Sequence, residues 1–388
     1  MQNVKDIFLV FLKLGLTSFG GPIAHLGYFR SEFVGRRAWL DEAAYAELVA
    51  LAQFLPGPSS SQVGMSIGLL RGGVAGMFAA WFAFTMPSVF LLIGFAFVAQ
   101  RLEGSLAEGI THGLMLVAVA VVAQAVMQMA RVLTPDPPRV VIALATCVFL
   151  LAVPFTFAQI GVLIAGGLIG YRFFTPPPPS DHPVLAVPVS RKAGAALIAL
   201  FFVLLALLPL FATQGGAMVQ LIDGFYRAGA LVFGGGHVVL PLLEAELIPK
   251  GLIDRETFFA GYGAAQAVPG PLFSFAAFVG FAGTGGGLVH AALCLIAMFG
   301  SSFLLVPGVL PFWARLARVQ SMRAALMGLN AAVVGLLAAA FITPVFTSAI
   351  LSIYDFAAAC LAFALLIWSP LPVWLIVVMT GLTGLFLI

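Results

Sequence analysis

The sequence predicts an all-α polytopic membrane protein, because it is rich in apolar residues, poor in charge and built from long apolar segments. Of its 388 residues, 62% are hydrophobic and 9% are charged, and the mean hydropathy is +1.12. Soluble proteins carry roughly a quarter of their residues as charges. Segments long enough to span a bilayer recur along nearly the whole chain. An ordinary cytosolic enzyme and a sizeable soluble domain are therefore excluded.

The apolar segments form two similar groups on either side of a single extra segment. They lie near 7–29, 41–71, 73–100, 108–130, 139–153, 157–173, 193–211, 217–241, 255–284, 287–310, 322–346, 350–368 and 371–388. Six, one and six segments predict thirteen crossings. Whether 41–71 and 255–284, which proline and glycine interrupt, cross or re-enter stays open. We expect a first transporter repeat over 1–173, a Pro-rich linker with one connecting transmembrane helix over 174–216, and a second repeat over 217–388.

Two motifs recur in the same order in both groups. The stretch Gly15–Gly21 returns as Gly229–Gly235, and Gln53–Pro58, which contains Pro-Gly-Pro, returns as Gln266–Pro271. Because an odd number of crossings precedes the second copy, the two copies must be inverted relative to each other in the membrane. Inverted repeats favour a transporter that works by alternating access.

Loop charges orient most of this topology. Under the positive-inside rule, the loops with Arg131 and Arg139, Arg172 to Lys192, and Arg315 to Arg323 are cytoplasmic, as is the amino terminus. The loop with Arg30, Arg36 and Arg37 would then lie outside, which disagrees with the rule. Either 41–71 is a re-entrant hairpin, or these arginines face the translocation path.

The Pro-Gly interruptions predict an anion site inside the membrane. Such breaks are tolerated in hydrocarbon only where protein or a watery cavity surrounds them. A proline at each break can begin a helix, whose first N–H groups and positive dipole end attract an anion. The candidate anion-binding residues are Lys13, Ser18, Gly20, Gly21, Gln53, Gly57, Ser59, Ser60, Ser61, Arg227, Gly234, Gly235, Gln266, Gly270 and Ser274. A simple helix hinge, or close helix contact at the Gly-Gly pairs, is the alternative.

The repeats differ at these positions. Leu272 and Phe273 stand where the first repeat has Ser59 and Ser60, so the first repeat is the better candidate to hold the anion and the second to gate it. Lys13 and Arg227 are equivalent, and two cations would balance a dianion. Pairing with carboxylates such as Asp6 and Asp223 stays open for both.

Five further residues are candidates for gating or coupling. They are His25, Glu32, Arg71, His237 and Glu246. Histidine titrates near neutral pH and can relay a proton, although hydrogen-bonded packing is the alternative. For Glu32 and Glu246 the alternative is structural pairing with Arg30 or Lys250.

Other functions leave no signature in the sequence. There is no nucleotide-binding, protease or hydrolase motif, and no metal-ligand spacing, so no enzyme activity, cofactor or metal is expected. Cys147, Cys294 and Cys360 lie singly in apolar stretches and are expected to be packing residues. A formal net charge of +3 is too small and dispersed to indicate nucleic acid.

The paired motifs resemble those of the chromate ion transporter family in its long-chain form. The resemblance rests on Phe19–Pro22 with His25, on Gln53–Pro58, and on their second copies, Phe233–His237 and Gln266–Pro271. It implies export of chromate across the bacterial inner membrane, driven by the proton-motive force and giving chromate resistance, with sulfate as a natural mimic. It also implies a fusion of two oppositely oriented short subunits.

Three functions remain open at this stage. A secondary anion transporter leads, and a passive anion channel or facilitator is second, with sulfate transport as an alternative substrate choice. A non-transporting membrane scaffold or enzyme subunit is third. Lipid is an expected partner, and a homodimer stays open as a general habit of such carriers.

Overall fold

A computed structural model describes residues 3–102, 104–153, 158–177 and 187–387, and all regular structure in these ranges is helical. The helices are α1 Val4–Thr17, α2 Gly21–Arg30, α3 Glu42–Phe54, α4 Ser59–Ala99, α5 Gly104–Leu133, α6 Pro137–Ala152, α7 Ala158–Phe173, α8 Arg191–Gln214, α9 Ala217–Leu231, α10 Val239–Leu247, α11 Arg255–Ala265, α12 Phe275–Ala282, α13 Leu288–Val309, α14 Trp313–Leu316, α15 Gln320–Ala340, α16 Thr347–Ala349, α17 Ile353–Trp368 and α18 Val373–Thr383. Residues 178–186, which hold most of the predicted linker, lie outside the described residues.

The first predicted span is a hairpin. Gly20, between α1 and α2, has a φ of 97°, a left-handed conformation that glycine adopts readily and that reverses the chain here. The ring of Phe11 in α1 lies 5.7 Å from that of Phe29 and 5.0 Å from that of Phe33. The chain after Gly20 therefore runs back beside α1, and the prediction that 7–29 crosses the membrane is wrong.

Residues 41–71 form a second hairpin. Trp39 precedes α3, and the guanidinium of Arg71 lies 5.8 Å from its ring. The two ends of the segment thus meet on one face of the protein, with the break at 56–58 as the tip. This contact confirms the re-entrant alternative for 41–71.

Helix α4 itself consists of two antiparallel parts. Gly72 and Gly73 have non-helical backbone angles. A Cβ added to Gly68 would lie 2.4 Å from the carbonyl oxygen of Gly76, so the two parts pack backbone to backbone beyond this turn. We name residues 59–71 α4a and residues 74–99 α4b.

The second repeat has the same pair of hairpins, α9–α10 and α11–α12. The backbone N–H of Thr284 donates to the carbonyl of Leu252 at 2.9 Å, which joins the two ends of the second hairpin. This bond confirms the re-entrant alternative for 255–284. Arg227 of α9 donates to Glu246 of α10 at 2.6 Å, so the predicted crossing at 217–241 is wrong. Of the described helices, five are long and apolar enough to span a bilayer: α4, α5, α8, α13 with α14, and α15 with α16.

The two repeats are inverted relative to each other. The ring of Phe78 in α4b stacks on Phe303 of α13 at 4.7 Å, and Trp81 contacts Phe299 at 5.5 Å. Residue numbers rise along α4b as they fall along α13, so these equivalent helices are antiparallel. The all-α fold of two inverted repeats that the sequence predicts is confirmed.

The outer helices of the repeats interleave. Gly113 of α5 lies against the backbone of Gly381 in α18, where an added Cβ would be 2.3 Å from the carbonyl oxygen. Equivalently, Gly328 of α15 lies against Gly166 of α7, at 2.1 Å. Close helix contact through small residues is a common way to pack helices in a membrane.

The hairpins bring most basic side chains to one face, which we name the basic face. Its residues are Lys5, Arg30, Arg36, Arg37, Arg71, Arg131, Arg139, Arg172, Arg191, Lys192, Arg315, Arg318 and Arg323. Arg101, Lys250 and Arg255 lie at the opposite face. Because the first hairpin returns, the loop with Arg30 to Arg37 no longer contradicts the positive-inside rule.

This topology predicts which cysteines an impermeant thiol reagent reaches. In a chain without native cysteines, Gly35→Cys should be labelled from the face that carries an amino-terminal tag, because the first hairpin returns there. Glu256→Cys should be labelled only from the other face. Labelling in right-side-out and inverted vesicles checks this, and labelling of both residues from one face would contradict the topology.

Candidate functional site

The tips of the four hairpins meet inside the protein and bond across the repeats. The N–H of Gly57 donates to the carbonyl of Val232 at 2.7 Å, and the N–H of Gly270 donates to the carbonyl of Ser18 at 2.8 Å. Each Pro-Gly tip is thus bound to the Gly-rich tip of the other repeat. These bonds satisfy backbone groups that hydrocarbon would leave unpaired. They also occupy the Gly57 and Gly270 amides, so the prediction that these two amides bind an anion is wrong.

Glycine is required at Gly57. Its φ is 123°, and an added Cβ would lie 2.5 Å from Nε2 of Gln62 and 2.8 Å from Oγ of Ser302. Nε2 of Gln62 donates to the carbonyl of Pro56 at 2.6 Å and to Ser302 at 3.1 Å. Gln62 and Ser302 are parts of the tip that sequence reasoning missed, although Gln62 follows Pro58 by about one helical turn.

The first repeat buries five polar side chains close in sequence to its tips or on the adjoining α4b, a set that we name the first-repeat pocket: Ser18, His25, Ser60, Ser61 and Thr85. All five are buried, and Nδ1 of His25 shares a hydrogen bond of 3.2 Å with Oγ of Ser60. Among the described residues, four polar atoms of the pocket have no partner: Oγ of Ser18, Nε2 of His25, Oγ of Ser61 and Oγ1 of Thr85. Buried polar atoms without partners are rare in proteins and call for an explanation.

The second repeat has apolar side chains at most of the equivalent positions, although Ser274 matches Ser61. Val232 stands in the place of Ser18, Val239 in that of His25, and Phe273 in that of Ser60. All three are buried. At these three positions the polar side chains thus belong to the first repeat alone.

The helix starts at the two Pro-Gly tips also differ. Helix α4 begins at Ser59 after Pro58, which supplies no side-chain cap. After Pro271 the chain forms a 3₁₀ turn, and both the N–H and the hydroxyl of Ser274 donate to the Pro271 carbonyl, at 3.0 and 2.7 Å. The prediction of Ser274 as an anion donor is therefore wrong, because the tighter turn uses both donors.

The two equivalent cations have different surroundings. Arg227 donates to Asp223 at 2.7 Å and to Glu246 at 2.6 Å, and Lys250 donates to Glu246 at 3.0 Å. The carboxylate-pairing alternative is thus confirmed for Arg227. Lys13 is exposed on α1 and has no ion pair within the described ranges, since the residue equivalent to Asp223 is Leu9.

The remaining anion candidates lie around the pocket. Ser59 is half-buried, Gln53 is exposed, and Gln266 is half-buried with Nε2 donating to the Tyr262 carbonyl at 3.4 Å. Gly20 and Gly234 are exposed, whereas Gly21 and Gly235 are half-buried. None of these has a buried unpartnered side-chain atom in the described part of the chain.

The gating candidates are mostly engaged in local pairs. Glu32 pairs with Arg36 and Arg37, while Arg30 pairs with Glu42, so the expected Glu32–Arg30 pair is wrong. Glu246 does pair with Lys250, as expected. Nδ1 of His237 lies 2.7 Å from the hydroxyl of Tyr262. Arg71 packs beside Trp39 at the basic face. Only His25 of this group belongs to the pocket.

Comparison with known proteins agrees with the repeat. A family model described as chromate transporter matches residues 5–171 and again residues 219–385. The chain belongs to the chromate transporter family. It is therefore a multi-pass membrane transporter and not an enzyme.

Relatives of similar length are spread over bacteria and archaea. A chromate transport protein of Pseudomonas aeruginosa is 28% identical over 352 residues, covering 87% of this chain and 80% of that protein. One of Cupriavidus metallidurans is 25% identical over 355 residues, covering 88% and 82%. An uncharacterized transporter of Methanocaldococcus jannaschii is 27% identical over 346 residues, covering 87% and 83%. No solved structure matches the chain significantly.

The different surroundings of the two cations predict different mutational effects on stability. Arg227→Ala should cost about 3–5 kcal/mol, because it leaves the buried Asp223 without its arginine. Lys13→Ala should change stability by less than about 0.5 kcal/mol. Adding Asp223→Leu to Arg227→Ala, which copies the first repeat, should recover part of the loss. Thermal unfolding in detergent measures all three, and equal stability of the two alanine variants would contradict the assignment.

Proposed function

We propose that this protein is a secondary active transporter that exports chromate, a tetrahedral dianion, from the cytoplasm across the bacterial inner membrane. The observation that carries the proposal is the first-repeat pocket, whose buried polar atoms lack partners where the hairpin tips meet. A tetrahedral oxyanion presents four oxygens and can accept hydrogen bonds from several donors at once.

The pocket has the right chemistry for such an anion. The hydroxyls of Ser18, Ser61 and Thr85 can each donate a hydrogen bond, and His25 offers its free Nε2. Helix α4a begins at the pocket, so the positive end of its dipole is turned toward it. Lys13 adds a full positive charge that no carboxylate of the described chain neutralises.

The substrate name comes from relatives. Two of the similar proteins are named chromate transport protein. Sulfate has the same shape and charge as chromate, so hydroxyl donors in the pocket would bind both, and we expect sulfate to compete. Hydrogen-bond geometry alone does not favour one over the other.

Alternating access is supported by a difference between equivalent tips. Gly234 packs against Leu133 of α5 and Asn330 of α15. A Cβ on the equivalent Gly20 would meet only Ala24 within 4 Å, and nearby Ile23 is 73% exposed. The two equivalent tips thus differ in how closely their glycines are packed.

Export requires the anion to reach the pocket from the basic face. The positive-inside rule assigns that face to the cytoplasm. The arginines of the face would also raise the local anion concentration. We assign the driving force to the proton-motive force, with His25 as the group that exchanges the proton.

A matched pair of serines tests the pocket. Ser61→Ala should weaken chromate binding by roughly ten- to a hundred-fold, because a hydrogen bond to a charged group contributes about 1.5–3 kcal/mol. The equivalent Ser274→Ala should leave binding nearly unchanged, because that hydroxyl is already bonded to Pro271. Equilibrium binding of labelled chromate to the purified protein measures both. Equal losses in the two variants would contradict the pocket.

Flux into inverted vesicles tests the transport proposal. Labelled chromate should accumulate above its external concentration when a proton gradient is imposed, and unlabelled sulfate should reduce the uptake. The His25→Asn variant should keep downhill exchange but lose accumulation. Uptake that only follows the chromate gradient in the native protein would instead identify a passive facilitator, and absence of chromate flux would remove chromate as substrate.

A further inference from the structure

We infer that the state open to the other side of the membrane forms when the two re-entrant hairpins with Pro-Gly tips exchange their packing. In that state α11 has separated from α5, and α3 packs on α15 with Ala50 against Leu329. The inference rests on the proposed alternating access and adds the contacts that define its second state. It follows from comparing equivalent surfaces of the two repeats, residue by residue.

The contact between α11 and α5 is closed in this structure. A Cβ on Gly263 of α11 would lie 2.2 Å from the carbonyl oxygen of Leu114, so the two helices touch through their backbones. Around this point Leu114, Val117, Ala260 and Ala264 form one buried cluster. Helix α11 of the second repeat thus packs closely against the outer helix α5.

Two anchors identify the equivalent residues in the other half. Gly263 precedes Gln266 of the second Pro-Gly tip by three residues, as Ala50 precedes Gln53 of the first. On the outer helices, Leu114 follows Gly113, and Leu329 follows Gly328. These two glycines make the equivalent backbone contacts with the interleaved helices of the opposite repeat. Ala50 and Leu329 therefore correspond to Gly263 and Leu114.

The equivalent contact is absent among the described residues. Ala43, Ala46 and Gln53 of α3 are exposed, and Ala50 and Leu329 are only half-buried. Helix α3 instead contacts Trp313, whose Nε1 donates to Glu47 at 2.8 Å. The two Pro-Gly hairpins thus differ in packing although their sequences correspond.

The sequence of α3 suits the missing contact. Ala43, Ala46 and Ala50 are small residues spaced along one side of the helix, and small residues permit close approach of helix backbones in membranes. In an inverted-repeat transporter, giving each repeat the conformation of the other produces the state that faces the opposite side. Closing α3 on α15 would cover the basic-face approach, while release of α11 from α5 would open the other.

A cysteine pair tests the exchange. In a chain with Cys147, Cys294 and Cys360 replaced, Ala50→Cys with Leu329→Cys should form a disulfide under mild oxidation, because the second state brings the two residues within bonding range. Chromate transport should fall to the background of empty vesicles and return on reduction. The control combines Val49→Cys with the same Leu329→Cys. Val49 precedes Ala50 in sequence and lies on a different side of α3, so this pair should not cross-link.

A second readout follows the tips. Ile23→Cys should react with a thiol reagent in this state and become protected once the Ala50–Leu329 cross-link has formed, while the equivalent His237→Cys should become more reactive. The inference is overturned if the reduced Ala50→Cys, Leu329→Cys protein transports chromate but never cross-links. It is also overturned if the cross-linked protein still transports. A native protein that moves no oxyanion would instead overturn the proposed function, so the two failures are distinguishable.

Discussion

The fold depends on two backbone hydrogen bonds that join the repeats at their hairpin tips. Four chain reversals lie where hydrocarbon surrounds the protein, and each would leave backbone groups unpaired. The Gly57 to Val232 and Gly270 to Ser18 bonds solve this for both Pro-Gly tips at once. Because each bond crosses from one repeat to the other, neither repeat can build its tips alone. Interleaving of the outer helices adds to this mutual dependence.

The same constraint acts on the backbone of both repeats, but not on the side chains around the tips. Both repeats keep the glycines and prolines that shape the tips, since the backbone geometry needs them in each. Side chains around the tips were free to diverge. Only the first repeat has Ser18, His25 and Ser60 there, and only the second has Asp223 to hold its arginine. A symmetric backbone thus supports one polar pocket, on which the proposed binding site rests.

Hydropathy and motif recurrence were enough to predict the all-α class and the inverted repeat, because both follow from composition and from sequence order. The crossings predicted at 7–29 and 217–241 are wrong, and 41–71 and 255–284 stayed open, because a hairpin of two short apolar helices and one long span have similar hydropathy. Gly20 and the Pro-Gly pairs were the signal that the chain reverses there. Contacts between distant residues, such as Trp39 with Arg71, decided the question.

The site was predicted in part for the same reason. Ser18, Ser60 and Ser61 lie next to the breaks in the sequence and were found, whereas Thr85 lies on α4b and reaches the pocket only through the turn at Gly72 and Gly73. The pairing of Arg227 was left open, because the sequence does not reveal that Glu246 returns to it from α10. The N–H and hydroxyl of Ser274 bond within a 3₁₀ turn. The correspondence of Ser274 with Ser61 in the repeated motif could not predict that turn.

The central claim is that an oxyanion binds between the hairpin tips, against the first-repeat pocket. A cryo-electron microscopy map of the protein with bound chromate tests this most directly. The account predicts one strong peak for the chromate group within hydrogen-bonding distance of Ser61 and His25. A pocket that holds only water, with the chromate bound elsewhere, would contradict it.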